Sequence, residues 1–302
     1  MAFIQWDRAR GAGEDRAAGG ISFILLMVAQ IFLVLIFVFM VRESWPAFCR
    51  PDAPDLRGFI VRDAWSPLED PPKLGIFHAW VSTLMISGLS LGIAVPLGFG
   101  IACFLSDVAP RPVQAILQPC LELLAGIPSV VYGFFGYVTV VKFCAWQFGL
   151  PTGESVLAGG SILAVMSLPF IASTAAEAFR AVPHELRESA LALGVTRWHM
   201  IRRVVVPCAL PGLFAAVALG LARSVGETLA VLILSGNSVA PPTGLLSRAQ
   251  PITALIATEL GEAAVHSLKY HVLFASGLLL LAVVMGLNLL IWALKRRLIR
   301  HA

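Results

Sequence analysis

The chain has 302 residues, of which 58% are hydrophobic and 13% are charged. Soluble domains carry roughly 25% charged residues, so this chain is too apolar to fold as one water-soluble globule. The same composition excludes disordered, collagen-like and disulfide-stabilised secreted proteins. The net charge of +4 is typical of basic loops at a membrane surface and gives no indication of nucleic-acid binding. We predict an all-α integral membrane protein.

Long uncharged runs define the predicted transmembrane helices, because a helix of about 20 residues crosses the hydrocarbon core of a bilayer. Six runs have this character: 21–41, 77–105, 123–141, 155–176, 208–236 and 271–294. The first run is too long, and too closely followed by others, to be a cleaved signal peptide. Gly88 and Gly92 form a GxxxG pair in the second run, which indicates either close helix packing or a chance pair in a glycine-rich helix.

An even number of spans places both termini on one side of the membrane, and the distribution of Lys and Arg indicates which side. Thirteen of these residues fall on the side of the termini and eight on the other. We therefore predict that the N-terminal tail 1–20 and the basic tail 295–302 are cytoplasmic. The proline-rich segment 42–76 is predicted to be an irregular periplasmic loop. A short helix is expected around 253–262, either on the outer surface or dipping into the membrane.

The predicted cytoplasmic loop 177–207 has the pattern of two short helices. Pro183 suits the first turn of a helix, Gly194 suits a left-handed helix end, and Thr196 can cap the next helix, which rises to the membrane edge at Pro207. Apolar residues recur at i, i+4 and i+7 on the first helix, namely Leu186, Ala190 and Leu193. Such a helix either lies on the bilayer surface or docks on a partner protein.

The same loop resembles the cytoplasmic signature of ABC importer permeases, which reads EAA, three residues, Gly, nine residues and I-x-L-P. With identical spacing and small substitutions, this chain has at these positions Glu188-Ser189-Ala190, Gly194 and Val204-Val205-Val206-Pro207. The resemblance implies that 183–194 is the coupling helix, which docks on an ATP-binding subunit and transmits its motion. It also implies a type I importer (MetI-like) permease domain over 77–294.

The sequence contains no GxxxxGK[ST] phosphate-binding loop, so ATP hydrolysis is expected from a separate subunit that binds ATP and magnesium. We expect no catalytic residues in this chain, since no Ser/His/Asp or Cys/His arrangement has a usable context. The five cysteines form no CxxC pair and no Cys/His cluster with zinc spacing. The sequence therefore predicts a transport subunit that is not an enzyme and binds neither a metal ion nor another cofactor.

Further segments resemble the PstC-type permease of phosphate importers. They are Ala125–Gly133, Gly226–Val231 and Thr258–Ala263. The PstA-type sister permease shares the Gly-Ile-Pro-Ser and Gly-Glu-Thr pieces, but it usually continues the latter with Ala-Pro, whereas this chain continues with Leu-Ala-Val. The resemblance covers roughly 77–297. It implies inorganic phosphate as the substrate and includes Thr228 in the substrate pathway.

Arg223 and Glu227 are ionisable residues inside an otherwise apolar span, and their spacing of four predicts that they share one helix face. Charged groups at such depth are costly and normally face a partner or a water-filled path. Arginine suits phosphate, because its planar guanidinium gives bidentate hydrogen bonds and stays charged. We predict a substrate pathway in which Glu227 holds Arg223 until phosphate replaces it. The alternative is a structural ion pair between helices.

Gly126, Pro128 and Ser129 interrupt the helical pattern near the start of the third span, since proline cannot continue a helix. Interrupted helices of transporters expose backbone groups to a cavity. The segment is therefore a candidate gate or hinge. The alternative is a plain turn that enters the span.

The resemblance also implies an assembly in the bacterial inner membrane that works by alternating access. Its partners would be a PstA-like permease, two ATP-binding subunits and a periplasmic phosphate-binding protein. Other interpretations keep the fold and change the role: a permease for sulfate or molybdate, or the PstA-type subunit. Interpretations from other classes are an ATP-independent secondary transporter or channel and a membrane subunit that signals phosphate status.

Overall fold

The computed structural model describes the backbone of residues 2–49, 55–62, 64–67, 69 and 71–299, and the side chains of these residues except 2–18, 21 and 298–299. Residues 300–302 of the predicted basic tail lie outside the described residues. Arg50, which counts among the eight on the predicted periplasmic side, and the side chains of Arg8, Arg10 and Arg16, which count among the thirteen on the predicted cytoplasmic side, do so as well. Helices dominate the described chain, which confirms the predicted all-α class.

The first part of the chain alternates long helices with short ones. Its elements are α1 (Ala2–Ser44), α2 (Pro46–Cys49), α3 (Leu56–Val61), the antiparallel strands β1 (Trp65–Ser66) and β2 (Lys73–Leu74), α4 (Phe77–Cys103), α5 (Arg111–Gly126), α6 (Ser129–Gly136), α7 (Lys142–Phe148) and α8 (Val156–Arg180). Residues 2–20 of the predicted tail and the predicted first span 21–41 are thus joined in one continuous helix, α1.

The second part begins with the loop that carries the signature. Its elements are α9 (His184–Ala192), α10 (Arg197–Met200), α11 (Val206–Gly226), α12 (Leu229–Leu234), α13 (Ile252–Glu259) and α14 (Leu268–Ile299). Wider, π-helical turns extend or join several helices, at Phe104–Val108 after α4, at Tyr137–Val141 between α6 and α7, and at Ile201–Val205 between α10 and α11. A 3₁₀ turn, Leu260–Glu262, follows α13.

Within the described residues, six helical segments are long and apolar enough to cross a membrane, as predicted. They are Ser22–Cys49, Phe77–Val108, Ser129–Phe148, Val156–Arg180, Arg197–Gly226 and Leu268–Arg297. The third segment begins later than predicted, because the chain is extended at Ile127 and Pro128 and α5 ends before them. The fifth begins inside the predicted loop, at Arg197, and ends at Gly226 rather than at 236.

Helices α4, α8 and α11 form the centre of the bundle. Their side chains pack most extensively toward the end that carries α9, which we call the α9 end. Glycines allow this close approach: a Cβ added to Gly98 would lie 2.7 Å from Cγ2 of Ile171, and one added to Gly220 would lie 2.6 Å from its Cδ1. Gly88 and Gly92, by contrast, are exposed and face open space within the described chain, so the GxxxG pair makes no close contact inside this subunit.

Three buried serines join the same central helices. The Ser224 hydroxyl of α11 lies 3.2 Å from that of Ser90 on α4 and 3.0 Å from that of Ser167 on α8. Each hydroxyl can donate and accept, so the three satisfy one another in an apolar interior. These hydrogen bonds fix α11 against its neighbours one residue after Arg223.

Helix α13 lies at the opposite end of the bundle, which we call the α13 end. Its residues Ile252, Ala254 and Leu255 are buried, and the Ile252 amide donates a hydrogen bond of 3.0 Å to the Thr83 hydroxyl of α4. The short helix predicted around 253–262 is therefore present, as α13 and its 3₁₀ turn. Its first turn is enclosed by the bundle instead of lying on an outer surface.

Helix α1 meets the rest of the described chain mainly through α14. The rings of Phe39 and Phe274 pack edge to face with their centroids 5.6 Å apart, and Nδ1 of His271 lies 2.7 Å from the Glu43 carbonyl oxygen. Large apolar side chains along the stretch Phe23–Phe39 remain exposed. This surface is typical of a helix that is surrounded by lipid or by another subunit.

Candidate functional site

The predicted fifth span is interrupted where sequence reasoning expected one continuous helix. Helix α11 ends at Gly226, Glu227 adopts an extended conformation (φ −73°, ψ 132°), and α12 starts at Leu229 after Thr228. Gly226 has little helix propensity, which favours an end at this point. The expectation that Arg223 and Glu227 share a helix face is therefore wrong, since Glu227 lies just beyond the helix.

The two side chains nevertheless meet at this interruption. Nη2 of Arg223 lies 3.6 Å from Oε2 of Glu227, and the side chains are 36% and 6% exposed. Oε1 of Glu227 accepts a hydrogen bond of 3.4 Å from the Ala230 amide at the start of α12. The carboxylate thus connects α11 to α12 across the break.

The Arg223 guanidinium is loosely held in comparison with its partner. Its carbon Cζ lies 5.4 Å from the ring centroid of Phe170, and its buried Nε has no hydrogen-bond partner among the described residues. At 3.6 Å the contact with Glu227 is longer than a normal charge-assisted hydrogen bond. A buried donor without a partner costs free energy, so the site favours an acceptor such as an oxyanion.

Helix α13 supports this interruption from the α13 end. The Thr253 hydroxyl donates a hydrogen bond of 2.8 Å to the carbonyl oxygen of Glu227, which α11 leaves without an intrahelical partner. Thr228, the residue that precedes α12, is half-buried. The extended Glu227 is thus held by a side chain of a neighbouring element, as irregular backbone inside a membrane protein must be.

A second interruption, at Gly126, Pro128 and Ser129, lies close to the first. Helix α5 ends at Gly126 and α6 starts at Ser129, after Pro128 in an extended conformation. A Cβ added to Gly133 of α6 would lie 3.2 Å from Cα of Ala230, and one added to Gly136 would lie 3.0 Å from Leu234. The earlier residue of α6 faces the earlier residue of α12, and the later faces the later. The two helices therefore run parallel and begin at the same end.

The candidate gate and the candidate substrate residues are therefore brought together, although about a hundred residues separate them in the sequence. Tyr132 donates a hydrogen bond of 2.9 Å to the Leu124 carbonyl oxygen and so fastens α6 to the last turn of α5. Two broken helices that meet in this way are the arrangement on which transporters build substrate sites.

The signature loop folds much as its sequence predicts. Helix α9 spans His184–Ala192, and Gly194 has the left-handed conformation expected after a helix (φ +79°). The Thr196 hydroxyl accepts a hydrogen bond of 3.2 Å from the His199 amide, which confirms the predicted cap. Pro207 is half-buried in the first turn of α11 and does not end the helical run, because the π-helical turn Ile201–Val205 precedes it.

The apolar residues of α9 do not form the single stripe that the sequence predicts. Ala190 is buried against the bundle, whereas Leu186 is 43% and Leu193 84% exposed. The helix ends at Ala192, which carries Leu193 away from the predicted face. Glu188 and Ser189 are exposed as well, so these two signature residues lie on an exposed surface with the two leucines. Exposed leucines beside polar groups favour protein docking.

A buried ion pair on the inner side of α9 was missed by sequence reasoning. Nη2 of Arg187 lies 3.3 Å from Oδ1 of Asp107, and the side chains are only 10% and 3% exposed. The same guanidinium donates a hydrogen bond of 2.6 Å to the Phe179 carbonyl oxygen. One signal existed, since Asp107 is the sole carboxylate between positions 77 and 121 and directly follows an apolar span.

The described residues also contain one group of potential metal ligands that sequence reasoning did not consider. Glu43, His266 and His271 place their ligand atoms within 4.8 Å of one another. Nδ1 of His271 lies 2.7 Å from the Glu43 carbonyl oxygen, where only the nitrogen can donate. This nitrogen is therefore engaged with the backbone, and the group fits an interhelical contact between α1 and α14 better than a metal site.

Comparison with known proteins gives a family match over most of the chain. Residues 94–301 match the family described as binding-protein-dependent transport system inner membrane component. A Bacillus subtilis protein with the name "Probable ABC transporter permease protein YqgH" is 41% identical over 239 residues, which are 79% of this chain and 77% of the relative. The phosphate transport system permease protein PstC of Haemophilus influenzae is 33% identical over 276 residues, 85% of each chain.

Solved structures support the same fold. A chain of the methionine ABC transporter MetNI in an inward-facing conformation matches with a TM-score of 0.56 and 21% identity, over 72% of this chain and 93% of that one. At this identity the likeness speaks for the fold alone, which is that of the MetI-like permeases of type I importers. With six candidate spans, the chain is a multi-pass protein of the inner membrane. It belongs to the family of binding-protein-dependent transport inner membrane components, the permease subunits of ABC importers.

Proposed function

We propose that this chain is the PstC-type permease subunit of an importer that moves inorganic phosphate into the cell. The observation that carries the proposal is the Arg223–Glu227 pair at the break between α11 and α12. A permanently charged arginine lies there within a span, with an open face and an unpartnered Nε. Several relatives with the name PstC, at 33–37% identity over most of the chain, support the choice of phosphate.

The chemistry of the site suits a partner exchange. Phosphate offers several acceptor oxygens and a charge that guanidinium binds in a bidentate manner. Glu227 balances the charge of Arg223 when no anion is bound, which lowers the cost of an arginine in the span. When phosphate arrives, Arg223 turns to it, while Glu227 keeps its hydrogen bond with the Ala230 amide. Thr228 lines the same path, and the neighbouring break at Gly126, Pro128 and Ser129 allows α6 to move as its gate.

The signature loop couples this path to ATP. The exposed face of α9, with Glu188, Ser189 and the two leucines, docks into a cleft of an ATP-binding subunit, which holds ATP and magnesium. Gly194 and Pro207 set the ends of the connection between α9 and α11. The full importer contains this chain, a PstA-like permease, two ATP-binding subunits and a periplasmic phosphate-binding protein, with both termini of this chain in the cytoplasm.

The proposal is tested by ATP hydrolysis of the complete complex in vesicles, with its binding protein and phosphate, sulfate or molybdate. We expect selective stimulation by phosphate. The variant Gly194→Val should lose this stimulation, because a β-branched residue is strained at a φ of +79° and disturbs the end of α9. Gly244→Val, at a half-buried loop glycine with open space around it, is the matched control and should respond like the wild type.

The outcomes separate the competing interpretations. Equal stimulation by all three anions, or preference for sulfate or molybdate, would contradict the phosphate assignment but leave an ABC importer. Phosphate uptake that proceeds without ATP hydrolysis would contradict coupling and favour a secondary transporter or channel.

A further inference from the structure

Helix α9 turns one charged side chain inward. Arg187 is 9% exposed, whereas the neighbouring His184, Glu185 and Glu188 are exposed to solvent. Besides Arg187, the residue of α9 that is buried against the bundle is Ala190, which offers a single methyl group. Besides the packing of α9 on α10 and on the π-helical turn Ile201–Val205, the contacts of the guanidinium hold α9 on the bundle.

Those contacts reach two of the three central helices, α4 and α8, at once. Asp107 belongs to the π-helical turn that extends α4, and Phe179 lies in the last turn of α8. Arg187 binds the side chain of the first at 3.3 Å and the backbone carbonyl of the second at 2.6 Å. A single planar group thus joins α9 to both α4 and α8.

The carboxylate is itself held in place. The Ser106 hydroxyl donates a short hydrogen bond to Oδ2 of Asp107, while Oδ1 faces Arg187. Both carboxylate oxygens therefore have partners, and Nη2 of Arg187 contacts two acceptors, although its buried Nε has no partner among the described residues. Such a network fixes orientation, because the guanidinium fork and the carboxylate fit in few relative positions.

A merely stabilising role would be served at least as well by apolar side chains. Removing two charges from water is costly, and apolar replacements of buried ion pairs are often neutral or stabilising. An ionic link differs from apolar packing in its directionality. Two apolar surfaces can shift relative to each other, because their contacts have no preferred direction. The groups of a hydrogen-bonded charge pair keep their relative orientation and move together.

We propose that Arg187 is a positioning residue that carries the displacement of α9 to α4 and α8 through Asp107 and the Phe179 carbonyl. The inference rests on the proposed docking of α9 on an ATP-binding subunit. When that subunit moves α9, the guanidinium moves the ends of α4 and α8 with it. Because α4 and α8 pack closely along their length and both contact α11, the movement reaches the helix that ends at the substrate residues.

The test uses the double variant Asp107→Leu/Arg187→Met in the complete complex with its binding protein. Both charges are removed and the volume is retained, so neither group is left buried without a partner. We expect an assembled complex that still hydrolyses ATP, while phosphate taken up per ATP hydrolysed falls about tenfold, in the range typical of lost coupling between sites. Arg111→Met, an exposed arginine at the same end, is the control and should keep the wild-type ratio.

The ratio is the decisive readout, because a purely structural role lowers the yield of complex but not the uptake per ATP of the complexes that form. A wild-type ratio in the assembled double variant would overturn the proposal. If the wild-type complex takes up no phosphate, the proposed function fails instead, and the ratio has no meaning.

A second measurement tests, without any substrate, whether Arg187 fixes the position of α9 relative to α4. Spin labels at the exposed positions Leu193 and Leu97, in a cysteine-free chain within the complex, report the separation of the α9 loop from α4. We expect one narrow distance distribution with and without ATP in the wild-type background, and a broad one in the double variant. Equally narrow distributions would overturn the proposal, whatever the transported ion.

Discussion

The two arginine–carboxylate pairs within the bundle differ in how completely they are closed. Both arginines keep a buried Nε without a partner among the described residues, but Arg223 is 36% exposed and lies 3.6 Å from Glu227. Arg187 is nearly enclosed, lies 3.3 Å from Asp107 and adds a backbone acceptor, while Asp107 has a second partner in Ser106. The first pair occupies a break between helices, and the second joins the ends of continuous ones.

The difference indicates that the two arginine–carboxylate pairs have different roles. An open pair with spare donors can exchange its partner for an anion, because part of its hydrogen-bonding capacity is unused. In the closed pair both carboxylate oxygens are engaged and the guanidinium contacts two acceptors while nearly enclosed, so the pair holds geometry. Substitutions at the two pairs should accordingly affect different properties: transport at the open pair, and folding and coupling at the closed one.

The largest effect is expected from Arg223→Ala. Removing the cation of the open pair should lower phosphate uptake by about 100-fold or more, in line with the loss of a buried charged contact. The complex should still assemble, since Arg223 is partly exposed and loosely held. Uptake into vesicles and co-purification of the subunits measure the two properties. Arg62→Ala, in a long and exposed contact with Asp55, is the control. Retained uptake would show that the open pair is structural.

A smaller effect on transport, but a large one on stability, is expected from Asp107→Ala. The change leaves Arg187 buried without its carboxylate, which typically costs about 3–5 kcal/mol. Thermal unfolding of the purified complex should shift to lower temperature, whereas Asp55→Ala at an exposed pair should not shift it. An unchanged unfolding temperature in the Asp107 variant would mean that the closed pair contributes nothing to holding α9.

The smallest effect is expected at a third pair, in the segment before α4. Nζ of Lys73 lies 2.6 Å from Oε2 of Glu69, and both side chains are exposed. The hydrogen bond and the charge of Lys73 hold the pKa of Glu69 below its ordinary value. The stabilisation is therefore present above the ordinary glutamate pKa and is lost as the pH falls through the lowered one.

Glu69→Gln should leave uptake unchanged and alter the unfolding temperature only slightly at neutral pH, with the difference from the wild type vanishing in acid. Solvent and salt screen such exposed pairs. Unfolding measured across pH checks the sign. A difference that grows as the pH falls would contradict this assignment.

Much of the fold follows from local sequence signals. Long uncharged runs locate the spans, and the left-handed Gly194 and the Thr196 cap follow from the local preferences of those residue types. The meeting of Arg223 with Glu227 also follows from close spacing. These predictions succeed because each depends on residues within one or two helical turns.

The predictions that failed depend on contacts between distant residues. The break at Glu227 is held by Thr253, and Ala190 is buried where α9 packs on α10 and on the π-helical turn Ile201–Val205. Asp107 and Arg187 are 80 positions apart, and neither carries a local mark of its partner. One sequence gives the type of each residue but not which faces of the helices meet.

The π-helical turn Phe104–Val108 determines the direction in which the Asp107 side chain points around the axis of α4. A π-helical turn contains one residue more than an α-helical turn. The extra residue rotates the residues that follow it by about 100° around the helix axis. Without that extra residue, the carboxylate would point a quarter-turn away from Arg187, although its height along α4 would hardly change. Deleting a single residue from this turn would thus break the contact between Asp107 and Arg187 by rotation of the carboxylate alone.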